Sequence, residues 1–91
     1  MGRVFILYYV REDETMLVSA VSTDYSRMMI CAQRRVRNWR ETYHIPAKIT
    51  VRTHPHGSSA GDQEPMQDWL LHHPDSDEPR VLYTLISYST I

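Results

Sequence analysis

Two segments near the ends of the chain constrain the fold most: "VFILYYV" at residues 4–10 and "VLYTLISYSTI" at residues 81–91, neither of which carries a charge. Successive side chains of a β-strand point to opposite faces. Val4, Ile6 and Tyr8 therefore stand against Phe5, Leu7 and Tyr9, and Val81, Tyr83 and Leu85 against Leu82, Ile86 and Tyr88. Strands that are apolar on both faces belong where both sides of a sheet are covered. The rest of the chain, or a partner, has to supply that cover.

Residues Arg3 to Val10 and Thr15 to Ser22 are rich in β-branched and aromatic side chains, and "REDE" between them marks a turn, so the chain opens with a β-hairpin. "STD" at 22–24 then offers short side-chain oxygens to the free N–H groups of a first helical turn. A helix from about Asp24 to Tyr43 follows. On a helical wheel Tyr25, Met28, Met29, Ala32, Val36, Trp39 and Tyr43 share an arc of about 100°, the width of a stripe that packs on a sheet.

Beyond Pro46, "AKITVRTH" alternates, with Ala47, Ile49 and Val51 on one side and Lys48, Thr50, Arg52 and His54 on the other: a half-exposed third strand. Residues 54–64 read as a loop. Asp62 as a cap and Pro65 in the first turn point to a short helix through "MQDWLLHH", ended by "PDSDEP". The uncharged final segment becomes a fourth strand. The expected architecture is a single α+β domain over residues 1–91 in β-β-α-β-α-β order. Its sheet is mainly antiparallel and four-stranded, with the long helix packed on one face.

Cys31 is the only cysteine, which excludes an intramolecular disulfide and a Cys-rich zinc module, and fits a reducing, cytoplasmic compartment. The seven-residue run at 4–10 falls far short of the roughly 20 apolar residues of a membrane helix, and no small-residue cleavage site follows it. Gly2 does not make a myristoylation signal, because Ile6 stands where Ser or Thr is required.

Residues 53–79, "THPHGSSAGDQEPMQDWLLHHPDSDEP", hold four of the five histidines and six of the eleven acids. His54 and His56 would share a strand face, with His72, His73, Asp62 or Asp75 completing a metal set. "THPHGSSAGD" begins like the Thr-His-x-His-x-Asp-His signature of metallo-β-lactamase-fold hydrolases, but "SS" replaces the Asp-His pair and the chain is too short for that fold. Pro55 interrupts the strand, and adjacent His72 and His73 diverge by about 100° on a helix. A small His-site metal-dependent enzyme is the third-ranked reading. Cys31 with His44 makes no convincing nucleophile pair, and "GSSAG" lacks the Lys of a phosphate loop. No catalytic residue, metal ligand or cofactor is expected.

Charge is unevenly placed. Arg27, Arg34, Arg35, Arg37 and Arg40 precede the next acid, Glu41, whereas residues 62–78 contain six acids and no Lys or Arg. Arg27, Arg34 and Arg37 project within about 80° of one another opposite the core stripe, able to meet phosphates or acidic protein surfaces. The formal net charge of −1 and pI near 6.5 disfavour a dedicated nucleic-acid binder. One long and one short helix cannot cover a sheet that is apolar on both faces, and uncovered apolar area marks interfaces. A non-enzymatic protein-binding module is the leading expectation, with nucleic-acid binding through the Arg face as the alternative. Partner-binding candidates are Arg27, Arg34, Arg35 and Arg37, the acids Asp75, Asp77 and Glu78, and the tyrosines Tyr8, Tyr9, Tyr83 and Tyr88. An uncharged last strand left as an open edge would template further pairing, so it should be internal or capped by a second copy. A two-fold homodimer through the first and last strands is the expected form.

The hairpin and capped helix, "VFILYYV…MLVSAVSTDYSRMMICAQRRV", resemble the start of the small accessory proteins common in phages and prophages, a loose class that includes anti-CRISPR and other anti-defence inhibitors. The likeness covers about the first 40 residues and carries no diagnostic motif. It implies a stoichiometric inhibitor that meets a bacterial defence complex in the cytosol through charged surfaces.

Overall fold

The two uncharged end segments lie side by side inside one sheet. A computed structural model describes residues 2–44, 47–55 and 63–90. Its elements are β1 (Gly2–Val10), β2 (Met16–Ser22), α1 (Tyr25–Tyr43), β3 (Lys48–Thr53), β4 (Gln63–His72) and β5 (Arg80–Thr90). The strand order is β2-β1-β5-β4-β3, and every neighbouring pair is antiparallel. β5 is therefore the middle strand, paired on both sides, and it needs no second chain to protect it. The edges are β2 and β3.

α1 starts as its capping residue dictates: Asp24 has extended backbone, and its carboxylate accepts the Arg27 N–H at 3.1 Å. It ends at His44, whose left-handed backbone (φ 49°) directs its N–H to the Arg40 carbonyl. The apolar stripe lies on the sheet. Met28 and Ala32 are fully buried against Leu7, Leu85, Trp69, Leu71, Leu82 and Tyr83. An aromatic pair ties the start of the helix to the sheet, with Phe5–Tyr25 ring centroids at 5.5 Å, while Trp39 and Tyr43 stack within the helix at 5.2 Å.

Two expectations need correction. Residues 62–73 do not form a short helix: the segment from Gln63 to His72 is strand β4, so the sheet has five strands and the order is β-β-α-β-β-β. The alternation was hidden by a bulge. Pro65 pairs with Ile86 and Gln67 with Leu85, which leaves Met66 as an extra residue and puts Met66 and Gln67 on the same side. Pro65 is tolerated there because a bulge already interrupts the ladder. Local preference of Met, Gln and Leu for helix yields to pairing with β3 on one side and β5 on the other.

The second correction follows from the first. The short helix expected at "MQDWLLHH" would have covered part of the sheet face opposite α1 with Met66, Trp69 and Leu70, but Trp69 is 3 % exposed within the α1-side core, and Met66 packs against that core. Among the described residues no layer covers the opposite face.

Candidate interaction surface

Register defines what the open face presents. Val4, Ile6, Tyr8 and Val10 of β1 lie opposite Tyr88, Ile86 and Thr84 of β5 on one flank, and Val21, Val18 and Met16 of β2 on the other. Directly opposed residues share a face, so these side chains form one apolar field over three strands. Its centre is half-buried by mutual packing, while Met16 (45 % exposed), Val18 (62 %) and Val21 (58 %) stand out at the β2 border. Tyr8 and Tyr88 join hydroxyls at 2.7 Å across it. Burial and this bond push the Tyr8 phenol up to about 12.

The four tyrosines of the expected patch are thus divided. Tyr8 and Tyr88 belong to the open face, whereas Tyr9 and Tyr83 pack together under α1 at 5.4 Å, with Tyr83 only 7 % exposed. The four tyrosines therefore do not form one patch, because alternate residues of the first and last strands serve different faces.

The other half of the open face is polar and knitted together. Asp68 of β4, with a side chain 7 % exposed, accepts from Arg52 at 2.5 Å, pairs with His54 Nε2 at 2.8 Å, and accepts from the Thr84 hydroxyl at 2.7 Å. Burial pushes its carboxyl up, but the bonds from Thr84, Arg52 and His54 outweigh that and hold it below the usual 3.8. Both carboxylate oxygens are engaged, so the cluster ties β3, β4 and β5 together. The parity of Arg52 and His54 was legible in "AKITVRTH". Asp68 was missed because its segment read as helix; as a strand, an acid followed directly by Trp69, Leu70 and Leu71 signals a buried group that needs partners.

The histidines are dispersed. His54 donates its backbone N–H to the Met66 carbonyl, six residues along β4 from His72, a separation of about 20 Å at strand rise. His72 meets the Thr50 hydroxyl at 2.6 Å, and His73 lies in the β4–β5 connection 3.8 Å from Asp75. His72 and His73 therefore do not cap a helix. Among the described residues no group of three or more His, Cys, Asp or Glu side chains is placed to hold a metal ion; His56 and Asp62 lie outside them.

Charge segregates by surface. Arg27, Arg34, Arg35 and Arg37 are exposed on α1, and the last three make no ion pair or hydrogen bond among the described residues. The acids gather at one end of the sheet, a juxtaposition visible only in three dimensions. Glu12 and Glu14 of the hairpin turn line one cavity with Ser76 and Glu78 of the β4–β5 connection. Arg80 links the two through the Val10 carbonyl at 3.2 Å and Glu12 at 3.8 Å. Residues of both loops, with Asp68, Pro65 and Thr84, line a concavity of about 750 Å³ on the open face.

No family model, no curated protein and no solved structure matches the chain. No helix among the described residues is long and apolar enough to cross a membrane.

Proposed function

We propose that this protein is a non-enzymatic protein-binding module whose working surface is the open sheet face. The observation that carries the reading is the apolar field of Ile6, Tyr8, Ile86 and Tyr88, bordered by Val18 and Val21, with no layer over it among the described residues. Sheets gain their stability by burying apolar faces against another layer, and a field of this kind is the feature by which a partner is recognised. The engagement of both Asp68 oxygens supports a structural role for the most polar cluster. The acidic rim and the basic helix would steer approach and select among partners. The resemblance of the first 40 residues to phage accessory proteins makes a bacterial defence complex the first target to test.

A photo-crosslinking side chain at Tyr8 tests the reading. The expected result is a protein adduct from bacterial lysate, whose purified target then binds the wild-type chain stoichiometrically and loses binding on Tyr8→Glu. The absence of any adduct from the open face, alongside adducts from the same probe at Arg34, would overturn it. A second reading rests on Arg34, Arg35 and Arg37, which lack acidic partners among the described residues: salt-sensitive binding of DNA or RNA by α1. That reading requires the double change Arg34→Glu, Arg37→Glu to abolish binding at low salt.

A further inference from the structure

We infer that the cleft between the last turns of α1 and the sheet is a binding site for a small aromatic carboxylate, with Arg80 and the Trp39 indole as its donors to the anion. Three buried side-chain atoms have no hydrogen-bond partner among the described residues: Trp39 Nε1, Arg80 Nε and Gln67 Oε1. A buried polar atom without a partner is costly, so each one calls for an explanation. Two of the three belong to residues that line a single cleft of about 530 Å³, within the size range of small-molecule sites. Both of those atoms are N–H donors. The cleft therefore asks for an acceptor.

Register puts both donors on the same side of the sheet. Arg80 pairs with Leu71, a residue of the α1-side core, and directly opposed residues share a face. Trp39 packs against that core from the helix. Other nitrogens hold the guanidinium in place: Nη2 donates to the Val10 carbonyl at 3.2 Å, and Nη1 lies 3.8 Å from Glu12. Nε is left for a ligand oxygen, in a bond strengthened by the guanidinium charge. The rings of Tyr9, Trp39 and Tyr43, with Leu71, make walls suited to a flat apolar body. Tyr43 stacks on Trp39 but is 58 % exposed at the end of α1, so its ring can turn aside and admit a ligand to the indole edge.

Charge sets the sign of the ligand. Arg11 lines the cleft, and Arg35 stands one helical turn before Trp39 on the same face of α1. Neither side chain makes an ion pair or hydrogen bond among the described residues. Against them stand Glu12 and Asp13. Asp13 already accepts from the Thr15 N–H at 3.1 Å and the Thr15 hydroxyl at 2.6 Å, and the Glu12 side chain is 91 % exposed, where water and salt screen it. The carbonyl end of α1 opposes an anion with about half a unit charge, less than the guanidinium groups of Arg11, Arg35 and Arg80 supply. The inference does not depend on the target reading, because the cleft lies on the α1 side of the sheet and the apolar field on the other.

Naphthoate is the probe, titrated into isotope-labelled protein and followed by NMR at the indole N–H resonances of Trp39 and Trp69, which Trp39→Phe assigns. The Trp39 resonance should move downfield and saturate at about 1 mM or below, while that of Trp69, shut inside the core, stays in place. The uncharged amide of the probe, and cyclohexanecarboxylate, which lacks the aromatic ring, should each bind about tenfold more weakly. Arg80→Gln should weaken binding by about tenfold or more, with an unmoved Trp69 resonance as the check on folding. Arg11→Gln with Arg35→Gln, both at exposed positions, should weaken it severalfold and flatten its salt dependence. An unmoved Trp39 resonance at millimolar probe, equal binding of the amide, or a matching shift of Trp69 overturns the inference and leaves water as the partner of the buried donors. The crosslinking result at Tyr8 decides the target reading separately.

Discussion

Replacing Asp68 by Ala or Asn tests the claim that one carboxylate fastens β3, β4 and β5. In the native structure it takes three bonds, two of them from groups that differ in exposure: the Arg52 side chain is 54 % exposed and that of His54 26 %. Arg52 can turn to water when its acceptor is lost, so its share is close to that of a surface pair, under about 1 kcal/mol. Thr84 and His54 cannot be resolvated as easily, and each bond to a charged group is worth about 1.5 to 3 kcal/mol. Asp68→Ala should therefore cost about 3 to 5 kcal/mol. Asp68→Asn keeps an acceptor for Thr84 but turns an amide N–H₂ toward Arg52 and His54, and should cost about 2 kcal/mol. Urea unfolding followed by tryptophan fluorescence is the assay, since Trp69 adjoins the site. The pH dependence carries a sign. Asp68 has its folded value held below 3.8, so its contribution is complete above that value and disappears as pH falls through the lower folded value. The stability gap between wild type and Asp68→Asn should be constant from neutral pH to about pH 5 and close in stronger acid. A gap under about 0.5 kcal/mol at pH 7 would refute the reasoning.

Two further outcomes are expected. Asp24→Ala removes the acceptor for the Arg27 N–H and should cost about 1 kcal/mol, read as a lower urea midpoint with an unchanged slope. The Tyr8 phenol, raised from 10.0 to about 12, stabilises the fold fully below pH 10 and loses that contribution as pH rises through 12; absorbance titration should contain a late tyrosinate phase that Tyr8→Phe removes.

The sequence by itself determined the elements whose patterns are local and complete. The hairpin, the cap at Asp24, the helix stripe from Tyr25 to Trp39 and the alternation of Lys48 to Thr53 each follow from side-chain spacing and backbone chemistry within one segment, and each stands in the structure, whereas Tyr43, expected in that stripe, is 58 % exposed. For the uncharged last segment the sequence left two outcomes open, an interior strand or an edge capped by a second copy, and the structure places it in the middle of the sheet. Tertiary structure alone decided the rest. Residues 63–72 became a strand because β3 and β5 offered ladders on both sides, and the bulge at Met66 had erased the period that would have announced it. That one outcome removed the helix expected over part of the second face and gave Asp68 its partners. Strand order is set by which distant ladders form, and the free energy that chooses among them is shared between segments, so no single segment records it.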